Sequence, residues 1–116
     1  MYYIYVLLCQ GGSFYTGITK DLCRRMRQHC GLQKGGAKYT KSHPPQALCC
    51  AWTASDRSTA QRFEIRFKQL ERTQKERLVK NPERWIEFFP LLAALTIAPA
   101  TVDSLSVYLG SKSHAT

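Results

Sequence analysis

The chain opens on two uncharged, largely apolar runs. Residues 2–9, YYIYVLLC, hold Tyr, Ile, Val and Leu with no polar interruption, which suits a strand buried on both faces. QGGS at 10–13 breaks the run, because Gly11 and Gly12 tolerate the positive φ of a tight turn. FYTGIT at 14–19 returns, and the pair predicts a β-hairpin. The period then becomes helical. With Asp21 as N-cap, Leu22, Cys23, Met26 and Cys30 share one apolar stripe over 21–30. Arg25 and His29 lie one turn apart on its edge, while Arg24, Arg27 and Gln28 point away.

Residues 31–45, GLQKGGAKYTKSHPP, read as a loop rich in Gly, Lys and Pro, and QALCCAWT at 46–53 as a third strand. Ser58 with Gln61 forms a capping-box pattern before TAQRFEIRFKQLER, whose buried face is Ala60, Phe63, Phe67 and Leu70, with Glu64 at its border. Thr73 with Glu76 is a second such pattern, opening QKERLVKN, and Pro82 ends that helix or starts a new turn. ERWIEFF predicts a short helix before Pro90. Residues 1–90 form the expected domain and 91–116 an extension, in which 103–116 read as a partly disordered tail of little role.

Length supports one domain with a modest core: 116 residues, 44% of them hydrophobic. The longest apolar run near the C-terminus, LLAALTIA, is far too short to span a membrane, and the N-terminus lacks a secretory pattern. The expected location is the cytoplasm. Five cysteines, two of them adjacent and none in a C-x-x-C pair, predict free thiols rather than a disulfide framework or a zinc site. Charge changes the picture more. Residues 20–84 hold 16 Lys/Arg against 6 Asp/Glu, while 1–19 carry none and 85–116 sum to −1. Positive charge concentrated in mid-domain points to a polyanion partner, most simply nucleic acid.

YIY (3–5) followed by YTG (15–17) resembles the paired motifs of the GIY-YIG nucleases. Arg25 lies ten residues after Tyr15, His29 four further on, and Glu64 sits in RFEIRFKQL on a later helix, at offsets where that family carries an arginine, a histidine and a metal-holding glutamate. FYTGIT, QKGGAKYT and RFEIRFKQLERTQKERLV are similar to patterns of a small single-domain bacterial subgroup, the YhbQ-like UPF0213 proteins, over roughly residues 2–80. Tyr3 stands where the family name has Gly, and Thr16 where it has Ile. The family's late asparagine has no clear counterpart; Asn81 is the nearest, with Lys68 or Lys75 as substitutes.

The resemblance implies an α/β domain with a small mixed or antiparallel three-stranded sheet flanked by helices, and a metal-dependent endonuclease acting on DNA. Glu64 would hold Mg²⁺, with Mn²⁺ as the alternative, since a hard oxygen ligand suits either. Arg25 would fork onto the scissile phosphate. Tyr15 or Tyr5 would act as base, Tyr15 favoured by its place beside Gly17. His29 would bond a tyrosine oxygen or the phosphate. Each residue has a structural explanation too: strand aromatics for the tyrosines, a solvated arginine, a histidine offsetting a helix dipole, and a Glu64–Lys68 pair at i,i+4. Their conjunction at matching spacing favours the site.

In the loop, Gly35 and Gly36 permit close approach, while Lys38, Tyr39, Thr40 and Lys41 offer cations, an aromatic face and a hydroxyl to a strand. Low sequence specificity follows from the lack of groove-entering elements, and single-stranded or branched DNA in repair or recombination fits. RNA stays open, because nothing here reads a 2′-hydroxyl. Two rivals stand beside the enzyme: a non-catalytic nucleic-acid-binding module, and a docking protein for a repair factor that uses the apolar WIEFFPLLAALTIA segment.

Overall fold

The computed structural model describes the backbone of residues 1–114 and the side chains of 1–110. The predicted hairpin is present. β1 (Tyr2–Cys9) pairs antiparallel with β2 (Phe14–Thr19), and Gly11 and Gly12 carry the turn at φ of 91° and 88°. β1 also pairs antiparallel with β3 (Pro45–Ala54), so it is a central strand, which explains its lack of charge. Ile4 and Val6 enter one core; Tyr5, Leu7 and Cys9 enter the other, on the opposite face.

The expected three-stranded sheet has a fourth strand. β4 (Ile97–Ala100) pairs antiparallel with β3, giving the order β2-β1-β3-β4. Its sequence, IAPA, is short, lacks alternation and contains a proline, which only an edge strand accommodates.

Helices cover both faces. On one side lie α1 (Leu22–His29), capped by Asp21, and α6 (Leu105–His114). Leu22, Met26 and Leu105 join Tyr5 and Leu7 in their shared core. The predicted tail at 103–116 is thus helical from Leu105, and Leu105 is buried; residues 115–116 lie outside the described residues. On the other side, α3 (Arg57–Gln69), α4 (Arg72–Lys80) and α5 (Trp85–Phe88) enclose Trp52, Phe63, Phe67, Leu78 and Trp85. Both caps differ from expectation. Asp56, not Ser58, caps α3, its Oδ1 accepting from Thr59 N at 2.8 Å. Glu71 and Gln74, not Thr73 and Glu76, form the capping box of α4. In each case the helix begins earlier than the predicted box, at Arg57 and at Arg72, so the residue just before its first turn supplies the cap. The glycine-rich loop also contains a short helix, α2 (Lys38–Ser42).

Candidate active site

Three elements place the site. Tyr5 and Gly17 are direct cross-strand partners on β1 and β2. An ideal Cβ built on Gly17 would collide with the Tyr5 hydroxyl, so glycine there leaves the phenol its room. α1 crosses above, setting His29 Nε2 2.6 Å from the Tyr5 hydroxyl and Arg25 Nε 3.4 Å from it. Tyr5 and His29 are both buried, at 1% and 3% exposure.

His29 is held at both ends. Its Nδ1 lies 2.9 Å from Thr40 Oγ1, and that hydroxyl donates its own proton to the Ala37 carbonyl at 3.0 Å. Thr40 can therefore only accept from His29, so Nδ1 carries the proton and Nε2 presents a lone pair to Tyr5. Thr40 is 2% exposed. The expected strand-gripping hydroxyl is instead the partner that fixes the His29 tautomer. The sequence signal was weak, because the two lie 11 positions apart across a loop. Burial lowers His29 from 6.5 to about 4, with the Arg25 charge acting in the same direction. Burial also pushes the Tyr5 phenol above its ordinary value, against the hydrogen bond and charge of Arg25. Tyr15 and Glu64 add smaller upward pushes on Tyr5, which puts both within electrostatic range of its hydroxyl.

Besides Nε on Tyr5, Arg25 is anchored through Nη1. Its Nη1 donates to Gln28 Oε1 at 2.9 Å and to the Gly35 carbonyl at 2.7 Å, while Nη2 has no acceptor among the described residues. Gln28, expected to point away, thus orients Arg25; the i,i+3 spacing on α1 was the available signal. Gly36 packs so tightly on α1 that a Cβ there would sit 2.5 Å from the Gln28 carbonyl oxygen.

Tyr15 packs edge-on against the His29 ring, centroids 5.1 Å apart. Tyr39 stacks on Tyr15 at 5.8 Å and on His43 at 4.4 Å, and its hydroxyl bonds Ser13. Its face is therefore engaged by protein rings rather than freely offered. Lys38 and Lys41 are exposed on α2. Glu64, its side chain 18% exposed, pairs with Lys68 Nζ at 3.4 Å. Lys75 lies over the Phe67 ring at 6.0 Å, tied to the core of α3 and α4 and outside the Tyr5–His29 contacts. Asn81 ends α4, its amide donating to the Arg77 carbonyl, and makes no contact with the cluster among the described residues.

The donor set fits a hard divalent cation. Glu64 offers one partly exposed carboxylate that would hold it, and no group of three or more His, Cys, Asp or Glu that could hold a metal occurs among the described residues. One carboxylate with waters and substrate phosphate oxygens is an ordinary shell for Mg²⁺.

Among the described residues no helix is long and apolar enough to cross a membrane. A sequence model of the GIY-YIG catalytic domain matches residues 1–77. The UPF0213 protein BH0048 of Halalkalibacterium halodurans is 41% identical over 78 residues, covering 67% of this chain and 81% of that protein. The UPF0213 protein DP2720 of Desulfotalea psychrophila is 40% identical over 91 residues, covering 77% and 82%. The solution NMR structure of BH0048 aligns with a TM-score of 0.44 at 34% identity, over 69% of this chain and 84% of that one. GIY-YIG domains form an endonuclease family whose members generally use divalent metal ions. With its catalytic-domain match spanning the hairpin, α1 and α3, this chain belongs to the GIY-YIG family, within its UPF0213 group.

Proposed function

We propose that this protein is a divalent-metal-dependent endonuclease that hydrolyses DNA phosphodiesters in the cytoplasm with low sequence specificity. The observation that carries the reading is the Tyr5 hydroxyl, gripped between His29 Nε2 at 2.6 Å and Arg25 Nε at 3.4 Å. Two strands and a helix converge on one phenol, and a packing role alone needs neither partner.

Tyr5 suits the base better than Tyr15, because its hydroxyl has an acceptor for the proton it must lose. As an attacking water approaches phosphorus, the Tyr5 oxygen takes the water's proton while its own passes to His29 Nε2. The new P–O bond forms, the bond to the 3′-oxygen breaks, and that oxygen collects a proton from solvent. Arg25 Nη2 donates to a non-bridging phosphate oxygen, where negative charge accumulates. Glu64 would hold the metal, which supplies Lewis-acid stabilisation of the leaving oxygen. Tyr15, edge-on to His29, fixes that ring's angle.

The deciding experiment is cleavage of labelled single-stranded, duplex and branched DNA with Mg²⁺, Mn²⁺ or EDTA, beside Glu64→Ala, Arg25→Ala and Tyr5→Phe. Metal-dependent cutting by the wild type, lost in all three variants, is the expected outcome. Binding without cutting of any form, with either metal, would replace the enzyme by the non-catalytic binding module.

A further inference from the structure

An open cavity of about 640 Å³ lies behind the reacting groups, lined among others by Gln28, His29, Gln33, Lys34, Gly35 and Lys41. Three features set its chemistry. First, it is cationic without compensation. Lys34 and Lys41 have no carboxylate partner among the described residues, and the whole span 22–55 holds six Lys/Arg and no Asp or Glu. Second, it offers amide groups beside the cations. The Gln28 amide nitrogen has no acceptor among the described residues, its oxygen being taken by Arg25, and Gln33 is exposed. Third, it is continuous with the site. His29 is a wall of the cavity and also the acceptor for Tyr5; Gln28 and Gly35 are walls and also the acceptors for Arg25 Nη1.

A lysine pair beside amides fits a phosphate joined to a group with hydrogen-bonding edges. The volume falls in the range of small-molecule sites. We infer that this cavity receives one unpaired nucleotide of the DNA strand being cut, its phosphate on Lys34 and Lys41 and its base edge on the amides of Gln28 and Gln33. This rests on the nuclease reading for its link to cleavage, but not for binding. A base inside the cavity cannot remain paired, so single-stranded or branched DNA enters without the unstacking cost that duplex must meet. The occupant also meets the two groups that orient Arg25, so filling the cavity steadies the arginine at the scissile phosphate.

The test measures anisotropy of a labelled short single strand, and of the blunt duplex of the same sequence, in EDTA across a salt series. Wild type is compared with Lys34→Ala, Gln33→Ala and Lys34→Ala/Lys41→Ala, each checked for native circular dichroism. Wild type is expected to bind the single strand at least about tenfold tighter than duplex. Each lysine removed should lower the slope of log affinity against log salt by about 0.7 for the single strand. The oligonucleotide should also slow alkylation of Cys30, which lines the cavity, followed by peptide mass spectrometry. Equal affinity for both DNA forms, an unchanged salt slope in the double variant, or unprotected Cys30 overturns the inference. So does displacement of the strand by equimolar deoxyadenosine monophosphate, which would assign the cavity to free nucleotides. Because these arms need no turnover, a single-strand preference without cleavage in Mg²⁺ leaves the cavity standing and removes the nuclease; cleavage without preference does the reverse.

Discussion

The hydroxyl of Tyr5 lies 2.6 Å from Nε2 of His29, a contact made across 24 residues of sequence between two buried side chains. With Thr40 fixing the proton on Nδ1, the direction of this bond is set: the phenol donates and the imidazole accepts. Removing the phenol oxygen therefore has two effects. Tyr5→Phe is expected to lower kcat by about 10²–10⁴ if the phenol is the base. It should also cost about 1–3 kcal/mol of stability, because a buried Nε2 is left without a donor. Tyr15→Phe, which keeps the ring that meets His29, should lower kcat less than about tenfold. Cleavage kinetics and urea titration of both variants check this, and a larger loss in Tyr15→Phe would transfer the base to Tyr15.

The pH behaviour follows from His29. Burial lowers its folded value from 6.5 to about 4, so between those values the unfolded chain binds more protons than the folded one. Stability from this group is complete above pH 6.5 and is lost as pH falls toward about 4. After discounting for screening, the loss is on the order of 2 kcal/mol. Comparing thermal unfolding of wild type and His29→Gln across this window isolates it from the carboxylates, and the wild type should show the steeper decline. Activity should lack an inflection near 6.5, since His29 is already neutral there.

Gly17 sets the room available to the phenol. In Gly17→Ala the new methyl meets the Tyr5 hydroxyl and ring, so Tyr5 must turn away from His29 or β2 must shift. The expected cost is about 1–3 kcal/mol. Activity should fall nearly as far as in Tyr5→Phe. A Gly17→Ala/Tyr5→Phe double variant, in which the colliding hydroxyl is absent, should recover part of the stability.

Lys68 competes with any cation for Glu64. Its Nζ lies 3.4 Å from Glu64 Oε2 and its side chain is 55% exposed, so the pair contributes only about 0.3–0.5 kcal/mol. Lys68→Ala should raise Mn²⁺ affinity about twofold by freeing the carboxylate. Glu64→Gln should abolish Mn²⁺ binding. Electron paramagnetic resonance of free Mn²⁺ reads both, and retained binding in Glu64→Gln would remove Glu64 as the ligand.

α6 is part of the fold. Leu105 is 8% exposed and shares a core with Tyr5 and Met26. Leu105→Ala should cost about 2–3 kcal/mol, read by urea denaturation. A change within about 0.5 kcal/mol would show that the helix adds nothing to the core beneath the site.

Much of this arrangement was legible in the chain. The uncharged hairpin, its Gly11–Gly12 turn, and the apolar stripes of α1 and α3 are local patterns, each dictated by the geometry of one element. Tyr5, Arg25, His29 and Glu64 stood out because their spacing resembles that of the GIY-YIG motifs, while periodicity placed Arg25, His29 and Glu64 at the borders of apolar stripes. β4 and α6 were not legible. IAPA has no alternation, and the stripe of α6 is too weak to announce a buried face. Their structure comes from pairing with β3 and packing beside α1, contacts distant in sequence.

The sequence by itself thus determined the hairpin, β3, α1, α3 and α4, and which polar residues border the apolar stripes of those helices. Only the tertiary structure decided the partners. It turned Thr40 from a surface hydroxyl into the acceptor for His29, brought Gln28 onto Arg25, and stacked the exposed Tyr39 ring on Tyr15 and His43. A periodic pattern fixes the direction of a side chain relative to its own helix or strand. The atom it meets is fixed by how loops return other elements to it, and the Gly35–Thr40 segment, whose carbonyl and hydroxyl complete the site, acquires its shape only by docking on α1.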